Sequence, residues 1–230
     1  MLQIRIILAV FVGSILSFAA TPSNAFTIDF VAEAAGNEGA GLPSFTFNNV
    51  DGSGITLTAT ARDLTDSVGA SLPTDPFPYL DDLFNGNPGG LGVCQTTTCA
   101  GTSDDNIGFA AMGEVLVLEF DSTVLIQSVS FSNGVHLQNF IGNIGINVGA
   151  GNPTTALAFS DIFVATGLIF PNLTGTRFSF VAPASFTMND SDDEQIYINS
   201  ITFVPEPGTA LLVGLGLMAL GSRRRRGGLA

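Results

Sequence analysis

The amino-acid sequence predicts an all-β fold, a single β-sandwich of jelly-roll type, with one helix added at each end of the chain. Three observations support this prediction. Short stretches alternate between apolar and polar residues, turns rich in Gly, Asn, Asp and Pro separate them, and no central stretch has the 3.6-residue period of an amphipathic helix. No internal repeat of fixed length occurs, which argues against a solenoid or a propeller.

The predicted strands follow the alternating pattern through the centre of the chain. Thr56, Thr58 and Thr60, for example, would line one face of a strand, because side chains of a strand point to its two faces in turn. Residues 70–108 contain four prolines and have the weakest strand signal, so we predict a long irregular loop there. The predicted strands cover residues 26–31, 44–47, 55–61, 114–120, 124–131, 144–148, 158–164, 177–181 and 195–204.

The N-terminus has the three parts of a secretory signal peptide. A short segment with the cation Arg5 precedes an apolar run over residues 6–18, and Ser23-Asn24-Ala25 then places small residues at a cleavage site. We therefore predict a signal helix in residues 1–25, cleavage after Ala25 and a folded domain over residues 26–203. The alternative is an N-terminal helix buried in the fold.

The charges are distributed unevenly along a chain whose net charge is −13. All seven basic residues are Arg, and only Arg62 and Arg177 fall within residues 26–204, against nineteen acidic residues. A domain of this charge repels nucleic acid, which excludes a general nucleic-acid binder, and attracts cations.

The two cysteines, Cys94 and Cys99, lie close together in the sequence. In an exported protein such a pair indicates a disulfide, since the compartment is oxidising. Two thiols and one distant His are too few ligands for a structural zinc site. The alternative to the disulfide is a pair of free buried thiols.

The C-terminus combines a turn motif, an apolar segment and a basic cluster. Pro205-Glu206-Pro207 precedes the apolar residues 210–220, and a membrane stop of four arginines follows. Eleven residues make about 16 Å of helix, whereas a bilayer core takes about 20 residues, so this short transmembrane helix suits a temporary stop, with a permanent short anchor as the alternative. The stop consists of Arg223, Arg224, Arg225 and Arg226.

This tail, residues 204–230, resembles the PEP-CTERM sorting signal of Gram-negative bacteria, a tail that also carries an "ice-binding protein C-terminal" family label. The resemblance implies that an exosortase, a membrane-embedded processing enzyme, recognises Pro205, Glu206 and Pro207 and removes the tail. It also implies export through the inner membrane, transient insertion there, and delivery to the cell surface or extracellular matrix. It implies no activity for the domain that precedes the tail.

Few residues of the central domain suit catalysis. His136 is the only His, and its position in an alternating stretch predicts a half-buried or surface strand residue. Glu114 and Glu119 are an odd number of residues apart, so they would face opposite sides of one strand. Asp192 and Glu194 could share a face. We therefore expect no catalytic residues and no enzymatic activity.

Calcium is the cofactor that the acidic loops suit best, since calcium takes six to eight oxygen ligands, many of them from loop carboxylates. Neither loop matches the calcium-binding loop of an EF-hand, and solvated acidic loops are the alternative. The candidate ligands are Asp104, Asp105, Asp190, Asp192, Asp193 and Glu194.

The sequence thus predicts a non-enzymatic exported β-sandwich protein of the cell surface or extracellular matrix, processed at its tail by an exosortase. One alternative is a carbohydrate-binding module that contacts exopolysaccharide. The lack of Trp, and the presence of only Tyr79 and Tyr197 as tyrosines, weighs against it. The second alternative is a secreted hydrolase that uses a pair of carboxylates.

Overall fold

The computed structural model describes residues 24–37, 42–63, 76–84, 87–94, 107–108, 114–133, 136, 141–149, 161–181 and 195–206. Contacts divide the chain into the unit Ala25–Pro205 and a unit composed of Met1–Asn24 and Glu206–Ala230. The predicted signal helix and the predicted hydrophobic C-terminal helix lie outside the described residues. Within them, no helix is long and apolar enough to span a membrane.

Hydrogen bonding joins the twelve strands of the described residues into one sheet, so the predicted all-β class is confirmed. The helical elements in this part of the chain are a short helix α1, Phe30–Ala34, and a 3-10 turn, Val50–Gly52. The strands are β1 Phe26–Asp29, β2 Phe45–Phe47, β3 Leu57–Asp63, β4 Phe77–Phe84, β5 Asn87–Cys94, β6 Ile107–Gly108, β7 Glu114–Asn133, β8 Ile141–Val148, β9 Asp161–Thr166, β10 Leu168–Ile169, β11 Leu173–Val181 and β12 Gln195–Pro205.

Strand β7 holds the sheet together, because it is twenty residues long and changes partner halfway. On one side its first half pairs with β3 as far as Phe120, and its second half pairs with β12 from Val124 onward. On the other side it pairs with β11 and then with β10. The intervening residues 121–123 are exposed, at the point where one partner ends and the next begins.

The main path through the sheet runs β4-β5-β12-β7-β11-β8-β9. Strands β1 and β6 also pair with β12, β3 pairs with β7, and β2 pairs with β3. A sandwich or jelly roll is not confirmed, because the strands of the described residues belong to one hydrogen-bonded sheet rather than to two separate sheets.

The local predictions for residues 26–31 and 70–108 are wrong. The region 70–108, predicted as a loop, contains the antiparallel hairpin of β4 and β5 and the short strand β6. The strand predicted over residues 26–31 ends at Asp29, because the Asp29 side chain caps helix α1 by accepting a hydrogen bond from the backbone N–H of Ala32 at 3.1 Å.

One large apolar cluster forms the core, and alternation places its residues there. Leu57 and Ala59 of β3 face Leu116 and Leu118 of β7, all of them buried. Phenylalanines fill the space between strands: the Phe120 ring lies 5.9 Å from that of Phe178 and 5.1 Å from that of Phe203, measured between centroids. A second, smaller cluster of Val115, Val117 and Val181 lies on the opposite face of β7 and β11.

Candidate functional site

Strand β12 runs directly into the predicted sorting motif, because its last residue, Pro205, is the first residue of that motif. It pairs with β7 along most of its length, and Ile201, Phe203 and Val204 are buried. The pairing continues to Pro205, which lies opposite Val124. Pro205 can occupy this position because it is the last residue of the strand, where the missing N–H removes no inner ladder bond. The motif therefore begins inside the folded domain, without a linker.

The N-terminal strand lies beside this end of β12. Phe26 pairs with Phe203, and their ring centroids are 6.1 Å apart. The hydroxyls of Thr27 and Thr202 are hydrogen-bonded to each other at 3.0 Å. The residue that would become the new N-terminus after cleavage at Ala25 is thus a strand neighbour of the residues that precede the tail.

The first two residues of the motif differ in their exposure to solvent. Pro205 is half-buried in its strand pair, whereas Glu206 is exposed. Glu206 is therefore the first motif residue that a processing enzyme can contact without opening the end of β12. Pro207 and the membrane stop, Arg223 to Arg226, lie outside the described residues.

His136 is buried, with an exposed fraction of 3%. The prediction of a half-buried or surface strand residue is wrong: His136 adopts a left-handed backbone, φ 62°, after the end of β7, and its N–H donates to the carbonyl of Asn133. This turn directs the ring inward, where Nε2 lies 2.7 Å from Oδ2 of Asp81 and Nδ1 lies 3.0 Å from the carbonyl oxygen of Asn87. The ring also meets Tyr197 edge-on, at 4.8 Å between centroids.

The hydrogen bonds of His136 occupy both ring nitrogens. The carbonyl of Asn87 can only accept, so Nδ1 carries a hydrogen. The other ring nitrogen, Nε2, is engaged by the Asp81 carboxyl group. A ring with both nitrogens engaged and no open face cannot serve a substrate as general base. The pair instead ties β4 and β5 to the end of β7 and to β12.

A second group of buried polar contacts lies where β5 and β12 come close to each other. The Ser132 hydroxyl lies 2.9 Å from Oδ1 of Asn199 and 3.2 Å from the carbonyl oxygen of Gly89. Gly90 adopts φ 125°, and a Cβ there would lie 2.6 Å from the carbonyl oxygen of Ile198. Only glycine therefore lets β5 come this close to β12. Sequence patterns could not reveal these contacts, because their partners are far apart in the chain.

The carboxylates of Glu114 and Glu119 lie apart, on opposite faces of β7. Glu114 is buried and Glu119 is exposed, and Leu116 and Val117 between them show that even and odd positions of β7 face opposite sides. Glu114 and Glu119 therefore cannot act together as the pair of carboxylates that a glycoside hydrolase places around the scissile bond. Asp192 and Glu194 lie outside the described residues.

No group of three or more potential metal-binding side chains occurs among the described residues. All six candidate calcium ligands fall outside that part of the chain, so calcium binding stays a hypothesis. They are Asp104, Asp105, Asp190, Asp192, Asp193 and Glu194.

Cys94 ends β5, fully buried against Tyr79. It is not a free thiol. Cys99 lies outside the described residues, and its pairing with Cys94 stays a prediction.

Residues 203–226 match the PEP-CTERM protein-sorting motif. The match begins at Phe203, two residues before the end of β12, and extends across the apolar segment to the last residue of the arginine cluster. No curated protein and no solved structure is significantly similar to the chain. The motif marks an exported protein that is sorted at the membrane and processed by an exosortase.

Proposed function

We propose that this protein is a non-enzymatic structural component of the cell surface or extracellular matrix, released from its membrane tail by an exosortase. The observation that carries the proposal is the continuity of β12 with the motif. Residues 203–226 match the sorting signal, and the first three of them are residues of the last strand. The domain is therefore the cargo that this signal delivers.

The polar chemistry of the described core supports a structural role. His136 engages both ring nitrogens within the fold, and Glu114 and Glu119 face opposite sides of β7. In the part of the chain that the structure describes, these side chains hold strands together or meet solvent. Such an arrangement stabilises the folded domain and suits a structural role better than a catalytic one.

The proposal is tested by expressing the full chain in a host that has an exosortase and in the same host without it. The intact mass of the surface fraction reports processing. We expect the wild-type chain to lose the residues after about Pro207 only when the exosortase is present. Glu206→Ala should keep the tail, because Glu206 is the motif residue that the enzyme reaches first.

Glu119→Ala is the matched control, since Glu119 is an exposed glutamate of the folded domain outside the motif. This variant should be processed like the wild type. Surface protein that still carries Arg223 to Arg226 in the exosortase host would contradict the sorting role. Hydrolysis of the host's matrix polysaccharide by the purified protein, lost in Glu114→Gln, would contradict the non-enzymatic role.

A further inference from the structure

Strands β3, β7 and β11 turn a second row of side chains to the face opposite the main core. The strand pairings place Thr60 and Ser179 on either side of Val117, in one row across the three strands. Arg62 lies two residues from this row at one end, and Arg177 lies two residues from it at the other end. Two long cationic side chains therefore flank one short row.

The two arginines lie close enough for their charges to interact. Burial, and then the positive charge of Arg177, lowers the pKa of Arg62 to about 10. They are the only basic residues between positions 26 and 204, where nineteen residues are acidic. Both take part in other interactions as well; what distinguishes the pair is the presence of two cations on one face of an acidic domain.

Ser179 adds a buried hydroxyl between them. Its exposed fraction is 1%, and its Oγ has no hydrogen-bond partner among the described residues. Leaving a buried hydroxyl without a partner is unfavourable. The side chain shares its face of β11 with Arg177, since the two residues are two positions apart. A ligand that accepts a hydrogen bond at this point would satisfy the hydroxyl.

The floor of this region is apolar and small. Val115, Val117 and Val181 are buried there, so water is excluded beneath the charged groups. Charge-assisted hydrogen bonds are stronger in such surroundings than in bulk water. On β8, Asn147 lies opposite Ser179 and brings an amide to the same row.

We propose that Arg62, Arg177 and Ser179 form an oxyanion-binding site on this face of the sheet. The guanidinium group presents a planar fork of N–H donors that matches a carboxylate or a phosphate. Ser179 donates a third hydrogen bond from below. The ligand is an oxyanion, supplied either as free phosphate or as the carboxylate of an acidic sugar. Exposed Glu119 lies opposite Arg177. Its negative charge disfavours ligands that carry several negative charges.

The test is calorimetric titration of the full chain in detergent with three probes: inorganic phosphate, glucuronate, and glucose as the neutral control. We expect saturable one-to-one binding of phosphate, of glucuronate, or of both, and no binding of glucose. Binding of phosphate alone identifies a phosphate ligand, and binding of glucuronate alone identifies a carboxylated sugar. Absence of binding by both anions overturns the proposal.

Variants locate the site. Arg177→Gln should weaken binding at least tenfold, and Arg177→Lys, which keeps the charge but loses the fork, should weaken it several-fold in a folded protein. Ser179→Ala should weaken it about threefold or more. Ser128→Ala, a half-buried serine of β7 outside this row, is the matched control and should bind like the wild type. Anion binding that is equal in the wild type and Arg177→Lys would overturn the proposal. The site does not depend on the tail, so its failure leaves the processing experiment unaffected.

Discussion

Phe26 lies directly opposite Phe203 in neighbouring antiparallel strands, with ring centroids 6.1 Å apart. Phe203 in turn contacts Phe120 of β7. The first strand of the domain thus packs against the last one, and through it against the long strand in the middle of the sheet.

Replacing these phenylalanines should destabilise the fold according to their burial. Phe203 is fully buried, so Phe203→Ala should lower the free energy of unfolding by about 3–5 kcal/mol. Phe26 is half-buried, and Phe26→Ala should cost about 1–2 kcal/mol. Phe170, exposed to 65%, is the control, and Phe170→Ala should change stability by less than about 0.5 kcal/mol. Urea unfolding measures all three, and an effect of Phe26→Ala no larger than that of Phe170→Ala would show that β1 does not support β12.

Removing one partner of the His136–Asp81 pair should be costly. Asp81→Ala leaves the buried ring without its carboxylate and should lower the free energy of unfolding by about 3–5 kcal/mol. The double variant Asp81→Ala/His136→Ala should cost less than the sum of the two single variants, because the stranded partner is removed too. Asp82→Ala, a change at the half-buried neighbour of Asp81, is the control. Strict additivity in the double-mutant cycle would mean that the two side chains do not interact.

Glycine should be required at Gly90 and not at Gly54 to the same degree. Both have positive φ, but a Cβ at Gly90 would lie 2.6 Å from the Ile198 carbonyl oxygen, whereas one at Gly54 would meet nothing within 4 Å. Gly54→Ala should therefore cost only the backbone strain, about 1–2 kcal/mol, and Gly90→Ala clearly more. Thermal unfolding compares them, and a smaller loss for Gly90→Ala would argue against the close approach of β5 to β12.

Alkaline pH should distinguish the wild type from Arg62→Gln. The folded state lowers the pKa of Arg62 to about 10, so above this pH the folded chain has released a proton that the unfolded chain still holds. Stability then rises with pH for this residue. The free energy of unfolding of the wild type, minus that of Arg62→Gln, should increase above about pH 10. In an Arg177→Gln background the increase should begin at higher pH, because the charge of Arg177 is gone. A difference that stays flat or falls would contradict the burial of Arg62, and an unchanged onset in the Arg177→Gln background would contradict the influence of Arg177.

The cysteines should form one intramolecular bond. The unreduced chain, unfolded in denaturant, should take up no alkylating agent, and the reduced chain should take up two equivalents. Cys99→Ser should lower the free energy of unfolding by about 2 kcal/mol, the chain-entropy value for a loop this short. Alkylation of the unreduced chain at both residues would show two free thiols.

Sequence patterns predicted the strands whose side chains alternate and missed those stabilised by distant partners. Thr58 and Thr60 were expected on one face of a strand, and β3 has them there. The predicted break between residues 120 and 124 is instead a continuous stretch of β7, because the exposed residues 121–123 span a change of partner rather than a turn.

The hairpin of β4 and β5 was missed for a physical reason. Pro78, Gly89 and Gly90 disfavour strands when considered locally, yet the two glycines are what allow β5 to lie against Asp81 and Ile198. The burial of His136 was missed likewise, because its carboxylate partner is far away in the sequence. The sorting motif, in contrast, was predictable, since its signal is carried by consecutive residues that need no tertiary partner.

The pairing of β1 with β12 sets the order of events during export. Thr27 and Thr202, hydrogen-bonded across these strands, are 175 positions apart in the chain. Closing so long a loop is slow and needs both strands present. The domain therefore cannot complete its sheet until β12 is on the same side of the membrane as β1. The sheet can be completed only once the residues up to Pro205 are available to pair, so Glu206 directly follows the last segment that the fold needs.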